Sequence, residues 1–346
     1  MIRVGLLFGG QSAEHEISVQ SARNILAALS PERYEVVPIG ITRQGRWWLV
    51  DPQWLTQASP EKLPSFEKGM TPVGVLPGQG LVQFPKHQWE PLALDVVFPV
   101  LHGPRGEDGT VQGLLTLAGL PFVGAGVLGS AVGMDKEVMK RLLAQAGLAV
   151  GNYHCYRRGQ AVDVARVVGE LGLPLFVKPA NMGSSVGVTQ VRTPEELHPA
   201  LEIAWKYDPK ALVEQAIPGR EIECAILDGD PPQASVPGEI IPQHDFYSYE
   251  AKYLDAQGAL LKMPADLTPA EVAQVQALSI QVFQVLECAG LGRVDWFFTP
   301  DGQWIVNEMN TIPGFTQISM YPKLWELSGI SYGDLVNRLL SLALGT

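Results

Sequence analysis

The chain has 346 residues, with 25 Lys and Arg against 36 Asp and Glu, a formal charge of −11, and 46% hydrophobic residues. That is enough apolar mass for two or three well-cored domains, and the acidic balance excludes a general phosphate-backbone binder, which needs a lysine and arginine surface. Gly and Pro together reach about 18% against an average near 12%, high for a globular chain but too aperiodic for collagen or disorder.

In chain order, Arg3-Val4-Gly5-Leu6-Leu7-Phe8 reads as a buried strand, too short for a membrane span and without a signal-peptide pattern. A glycine turn at Gly9-Gly10 follows, then a helix from about Glu14 whose apolar residues run from Ile17 to Leu29, the opening of an α/β unit. Tyr34 to Ile41 predicts a second strand, and Thr42 to Glu90 reads as an irregular Pro-, Gly- and Trp-rich insertion. Leu94 to Leu101 is a near-continuous apolar run, as for a strand buried on both faces of a parallel sheet. A helix over Gly109 to Leu120 and a strand over Pro121 to Gly124 complete the first unit.

A helix over Asp135 to Gly147, with Lys and Arg on one face, leads into a segment of different character. Strands are expected at Leu175–Pro179, Val188–Val191, Ala211–Ile217 and Arg220–Leu227 around a helix at Glu195–Lys206, an α+β pattern. Pro237 to Leu260 is loop-rich. A long helix over Pro269–Ala289, a hairpin of Arg293–Phe298 and Trp304–Glu308 around Pro300-Asp301-Gly302, and a final helix over Tyr332–Leu344 close the chain. The three cysteines, Cys155, Cys224 and Cys288, have no metal-ligand spacing and read as reduced core thiols, which suits a cytoplasmic protein.

Sequences of the form G-x-x-x-x-G-K-[ST], H-E-x-x-H and G-x-S-x-G are absent. Gly124-Ala125-Gly126-Val127-Leu128-Gly129 matches a dinucleotide fingerprint, but it follows several βα units instead of opening the first, and close backbone packing explains it as well. The richer chemistry lies in the C-terminal hairpin. Glu308 and Asn310 share a strand face, and Asp295 falls opposite Glu308 or one residue off, so three oxygen donors converge on an otherwise hydrophobic hairpin. Hard oxygen donors with open positions suit Mg²⁺. Lys178 at a strand end, followed by Asn181-Met182-Gly183-Ser184-Ser185-Val186-Gly187, offers a point charge and a glycine-serine loop for phosphate oxygens. Glu214 to Ile217 and Glu221 lie where adenine and ribose fit.

Six blocks carry a resemblance: Gly9–Ser18, Leu101–Gly109, Met134-Asp135-Lys136, Val177-Lys178-Pro179 with Gly183–Gly187, Tyr249–Tyr253, and Asn307–Gly314. In this order and over nearly the whole chain they resemble the D-alanine–D-alanine ligase family of ATP-grasp enzymes. The resemblance implies an N-terminal parallel α/β domain (1–134) followed by a two-domain ATP-grasp fold (135–217 and 218–346). It implies ATP-driven joining of two D-alanines for peptidoglycan precursors, through an acyl phosphate and a tetrahedral intermediate. Lys136, Lys178, Ser184, Ser185, Lys252 and Asn307 are similar to the family's phosphate-side contacts, Glu214, Gln215 and Ile217 to its adenine contacts, and Glu221 to its ribose contact. Asp295, Glu308 and Asn310 match its metal ligands, for Mg²⁺ or Mn²⁺ as a pair of ions, with K⁺ activation left open. Glu14 resembles the residue holding the first D-alanine's ammonium, and His102 a group near that substrate's carboxylate. Arg293 and the Gly314 N–H resemble the oxyanion hole, and Ser319 the contact to the second carboxylate. Ser184 and Tyr253 resemble the residues linked to Glu14 that close the site, with Lys252 beside them in the lid. A tyrosine at position 253 looks like the dipeptide-forming type and not the D-lactate-using one. The resemblance further implies a homodimer through the N-terminal domain and no nucleic-acid or membrane partner. Met182, Gln215-Ala216, Phe315, Gln317 and Met320 depart from the commonest pattern. The rival readings are another ATP-grasp ligase, a nucleotide-binding regulator, and a nicotinamide oxidoreductase resting on Gly124–Gly129.

Overall fold

The structure is a computed structural model and describes residues 1–57, 70–242 and 259–346. Its N-terminal sheet is seeded by β1 (Ile2–Gly9), whose buried Val4, Leu6, Leu7 and Phe8 leave no solvent-facing side, the expected composition of a central parallel strand. Helix α1 (His15–Ala28) returns the chain to β2 (Tyr34–Ile41), which pairs parallel with β1. The segment read as irregular instead builds structure: β3 (Trp47–Leu49), α2 (Pro52–Gln57), β4 (Thr71–Leu76), β5 (Gly80–Gln83) and β6 (Glu90–Leu92) extend the sheet by antiparallel pairing. These strands are three to six residues long and carry Pro72 and Pro91, so no run is long enough to show a period, and each is stabilised by its neighbour's ladder. β7 (Val96–Pro99) pairs parallel with β1 on the other side, giving the order β6-β5-β4-β3-β2-β1-β7. Helices α3 (Thr110–Ala118) and α4 (Val127–Met134) follow, and the strand expected at Pro121–Gly124 reduces to a bridge between Val97 and Phe122.

α5 (Lys136–Gln145) begins where Asp135 caps the helix, its Oδ1 accepting from the backbone N–H of Glu137 at 3.2 Å and Val138 at 3.1 Å. The apolar residues Met139 and Leu143 of α5 pack into the core formed by Ile222, Val294 and Trp296, so this helix is built into the C-terminal unit's core. The second sheet is wholly antiparallel, from β8 (Tyr153–Arg157), β9 (Leu175–Pro179), β10 (Thr189–Val191) and β11 (Lys210–Gln215) in the order β10-β9-β11-β8, with α6 (Val164–Leu171) and α7 (Leu197–Ala204) between strands in the chain.

The third sheet comprises β12 (Arg220–Leu227), β13 (Gln233–Ala234), β14 (Gly238–Pro242), β15 (Ala259–Lys262), β16 (Leu291–Phe298) and β17 (Trp304–Asn310), with β12 and β16 at its centre. α8 (Pro269–Val285) packs on it, opened by a reciprocal cap between Thr268 and Glu271. The closing helices α9 (Met320–Leu327) and α10 (Tyr332–Leu344) bury Leu324, Leu335 and Leu339 in one core with Val4, Phe8 and Phe98 of the first sheet. N- and C-terminal units therefore share an interior, which fixes the loop after β17 against α1. Among the described residues, no helix is long and apolar enough to cross a membrane.

Candidate active site

Between the second and third sheets lies a cavity of about 490 Å³, lined by Lys136, Lys178, Ser184, Ser185, Glu214, Gln215, Ile217, Glu221, Asn307 and Glu308. Apart from Glu308, which the sequence assigns to the metal, these are the described residues it assigns to the nucleotide, brought together from α5, both sheets and their loops. Lys136 opens α5; its ammonium donates to the Met182 carbonyl at 2.6 Å and lies 3.4 Å from Glu308 Oε2. Lys178, on β9, lies 2.6 Å from Glu214 Oε2 on β11 and reaches Asn307 Oδ1 at 3.5 Å. Burial would push the Glu214 carboxyl up, but Lys140 and Lys178 outweigh it and hold the group below its ordinary value. Gln215 spends its side-chain oxygen on Asn152 Nδ2 at 2.9 Å. In the phosphate loop Ser184 and Ser185 have φ of +51° and +58°, the left-handed region in two consecutive non-glycine residues. This backbone turns Ser184 Oγ onto the Glu14 carboxylate, to which it donates a hydrogen bond.

In the β16–β17 hairpin Asp295 is directly opposite Glu308, one of the two registers the sequence left open, and Arg293 is opposite Asn310; the bulge between Asp295 and Trp296 sets this register, since Trp296 pairs with Val306. Arg293 clasps Asp295 with two bonds, Nε to Oδ1 and Nη2 to Oδ2, each 2.7 Å, and Nε also lies 2.9 Å from Glu223 Oε2. Asn310 Nδ2 donates to Asp295 Oδ2 at 2.9 Å. Burial opposes the Arg293 charge, but Asp295 and Glu223 hold it far above its ordinary value, so it is a permanent cation. Among the described residues no three His, Cys, Asp or Glu side chains cluster as a metal site; the set here is two carboxylates and an amide. Such hard oxygen donors, flanked by cations that balance their charge, fit a divalent ion that completes its shell with substrate oxygens.

A second cavity of about 400 Å³ lies beside the first, lined by Glu14, His102, Glu107, Arg293, Asn310, Gly314 and Ser319. Gly183, Ser184 and Glu308 line both cavities, so the two meet at the β9–β10 loop and the β16–β17 hairpin. His102 is buried with Nδ1 3.1 Å from the Ile312 carbonyl, while its Nε2 has no hydrogen-bond partner among the described residues. Burial lowers its pKa, with Arg293 assisting and Glu14 opposing, so the imidazole is neutral. A Cβ on Gly314 would stand 2.8 Å from Ser319 Oγ, so glycine lets these two cavity-lining groups approach. The same loop is anchored to α1: Phe315 N donates to Ser21 Oγ at 3.1 Å, and Asn24 Nδ2 to the Phe315 carbonyl at 3.1 Å. Lys252 and Tyr253 lie outside the described residues.

Three charged residues escaped the sequence reading. Lys140, one turn after Lys136, lines the nucleotide cavity; the i, i+4 spacing of two lysines on one helix was the available signal. Glu107 lies in the second cavity, where burial and the nearby Glu14 push its carboxyl up to about 8, and its Oε2 accepts the Gly103 N–H at 2.6 Å. Glu223 shares Arg293 with Asp295. The Gly124–Gly129 run lines neither cavity; a Cβ on Gly129 would stand 2.4 Å from the Glu287 carbonyl oxygen, which is close backbone packing.

Family models match in chain order, "D-ala D-ala ligase N-terminus" over residues 3–125 and "D-ala D-ala ligase C-terminus" over residues 142–341. The chain is 51% identical to D-alanine–D-alanine ligase A of Chromobacterium violaceum, covering 99% of this chain and 95% of that protein. The D-alanine–D-alanine ligase of Coxiella burnetii superposes with a TM-score of 0.88 at 40% identity, over 99% of this chain and 94% of that one. The VanG D-Ala:D-Ser ligase of Enterococcus faecalis gives 0.87 at 34% identity, over 99% of each chain. With its two cavities meeting at an oxygen-lined hairpin and both family models matched, this chain belongs to the D-alanine–D-alanine ligase family of ATP-grasp enzymes.

Proposed function

We propose that the protein joins two D-alanines into D-alanyl-D-alanine at the expense of ATP, releasing ADP and phosphate for peptidoglycan precursor synthesis. The observation that carries this reading is the junction of the two cavities at Gly183, Ser184 and Glu308. A phosphoryl group leaving a nucleotide in the first cavity meets there a carboxylate bound in the second.

Glu14, with Ser184 donating to it, holds the ammonium of the first D-alanine. That substrate's carboxylate oxygen attacks the γ-phosphorus, the bond to ADP breaks, and an acyl phosphate forms. Lys136 and Lys178 position the transferring group, a reaction that depends on placement and charge neutralisation more than on covalent help from the protein. Asp295, Glu308 and Asn310 would hold Mg²⁺ or Mn²⁺, as a pair of ions, which neutralises phosphate charge when bound. Ser319 orients the second D-alanine's carboxylate. Its neutral amine attacks the acyl carbon, the tetrahedral oxyanion is met by Arg293 and the Gly314 N–H, and the C–O bond breaks as phosphate leaves with the amine's proton; such donors are worth about 3–4 kcal/mol each. Lys252 and Tyr253 complete the assignment as lid residues that exclude water from the acyl phosphate. K⁺ activation belongs to the same proposal and is tested by replacing K⁺ with Na⁺.

We assign the reaction to the cytoplasm, a compartment that suits the free thiols of Cys155, Cys224 and Cys288. A homodimer through the N-terminal domain is supported by apolar side chains on that unit, with Leu117 65%, Leu128 60% and Val127 46% exposed. Light scattering on the purified protein checks it, twice the chain mass being expected and a monomer refuting it. Incubation with ATP, D-alanine and either D-lactate or D-serine, followed by product mass analysis, tests the second substrate: dipeptide of D-alanine should dominate, and a predominant ester or a D-serine product would overturn the assignment.

A further inference from the structure

The first cavity is lined by a third lysine besides Lys136 and Lys178. Lys140 lies one turn beyond Lys136 on α5, and its side chain is 2% exposed against 10% for Lys136 and 11% for Lys178. Its ammonium lies 3.4 Å from Glu214 Oε1 and 5.9 Å from the centre of the Tyr153 ring. Glu214 is thus flanked on both oxygens, and the two are unlike. Oε2 takes a close contact from Lys178 at 2.6 Å. Oε1 is buried and faces Lys140 at 3.4 Å, an ion pair without a formed hydrogen bond among the described residues. A buried carboxylate oxygen held only by that longer ion pair keeps lone-pair capacity for an N–H or O–H of whatever fills the cavity.

Nucleobases differ at the edge that would meet it. A 6-aminopurine presents an exocyclic amino donor, whereas a 6-oxopurine presents a carbonyl acceptor. The neighbours Gln215 and Ile217 line the same end of the cavity, and the Gln215 side-chain oxygen is already occupied by Asn152, so Glu214 has the open acceptor there.

We propose that Lys140 is a specificity-determining positioning residue for the nucleobase: its buried ammonium fixes the Glu214 carboxylate with Oε1 facing the amino group of a 6-aminopurine, and so rejects a 6-oxopurine. The proposal rests on the reading that a nucleoside triphosphate fills this cavity. Lys140 acts through Glu214 and not on the reacting phosphate. Without its charge Glu214 keeps Lys178 alone, and is free to turn Oε1 away or to carry a proton that donates to a 6-oxo group.

The test uses the full chain as wild type, Lys140→Met, Lys140→Arg and Glu214→Gln, titrated calorimetrically with the β,γ-imido analogues of ATP and GTP, alongside KM and kcat for ATP. The wild type should prefer the ATP analogue by about a hundredfold or more, since a site built to bond a donor rejects its isostere strongly. Lys140→Met should raise KM for ATP and shrink the preference about tenfold, with kcat at saturating ATP changed less than about threefold. Lys140→Arg should restore most of the preference, and adding Glu214→Gln to Lys140→Met should cost little more, as coupled sites require. If Lys140→Met does not fold, Glu214→Gln and Lys140→Arg decide: the first must relax the preference and the second must keep it. A wild type that binds neither analogue would overturn the nucleotide reading itself. A wild type that prefers ATP, with variants that keep its ratio or lose kcat at unchanged KM, would overturn the role of Lys140 alone.

Discussion

Glu107 makes the stability of this protein depend on pH in a direction opposite to that of an ordinary paired carboxylate. Its carboxyl is pushed up to about 8, by burial first and by Glu14 second, from an ordinary value of 4.5. The folded state therefore keeps a proton that the unfolded chain gives up, and stability falls as pH rises from about 4.5 to about 8, by at most about 1.4 kcal/mol per pH unit. Summed over that window the loss is at most of the order of 4–5 kcal/mol. Glu107→Gln is the informative change: the amide imitates the protonated acid and its oxygen can still accept the Gly103 N–H. Urea denaturation of wild type and variant at half-unit steps from pH 5 to 9 should give profiles that coincide near pH 5 and diverge upward, the variant being the more stable by several kcal/mol at pH 8.5. Profiles that remain parallel would refute the reasoning, as would a variant that loses stability as pH rises. Because a bound ammonium would favour the ionised Glu107 carboxylate, D-alanine binding near pH 7.5 should also release protons, measurable by calorimetry in buffers of different ionisation enthalpy.

Two further outcomes follow from the same geometry. Asp135→Ala removes the cap of α5 and the nearer of two partners of Lys210, whose ammonium lies 2.5 Å from Asp135 Oδ2 and 3.2 Å from Glu137 Oε2; it should cost about 1 kcal/mol for the cap and more for the ion pair, and weaken binding of the ATP analogue through Lys136. Thermal melting and calorimetry check it, and unchanged nucleotide affinity would separate the cap from the site. Gly129→Ala places a Cβ 2.4 Å from a backbone oxygen, so it should destabilise by about 1–3 kcal/mol. NAD(H) fluorescence should show no binding to either wild type or variant; saturable binding would revive the dinucleotide reading.

The parts of the molecule legible in the sequence are those where a local pattern coincides with a tertiary role. The turn at Asp301-Gly302 and period-two alternation narrowed Asp295 to a place opposite Glu308 or one residue off, and the apolar run of β7 announced a strand covered on both faces. The Asp295/Trp296 bulge was not legible, because it shifts pairing without changing composition. Strands β3 to β6 were missed because three to six residues with interspersed proline carry no period, and their order comes from the sheet edge they extend. For the site, residue type and motif order named Glu14, Lys136, Lys178 and the metal hairpin, but depth is a property of packing. Lys140 reads as one more basic residue on a helix until its ammonium is found enclosed with Glu214, and Glu107 as one more acid in a polar loop until Glu14 is found beside it. Likewise Arg293 is expected as an oxyanion donor, yet its fork is engaged by Asp295 and Glu223, which sequence spacing alone does not reveal.

The most direct test of the central claim is phosphate release by the full chain with ATP and D-alanine, compared between wild type and Glu308→Ala, with the product identified by mass. Phosphate should appear only with D-alanine, in equal amount to D-alanyl-D-alanine, and Glu308→Ala should lower kcat by about a hundredfold or more, the scale of losing one electrostatic support of a developing charge. Release driven by L-alanine, or a variant as active as wild type, would contradict it.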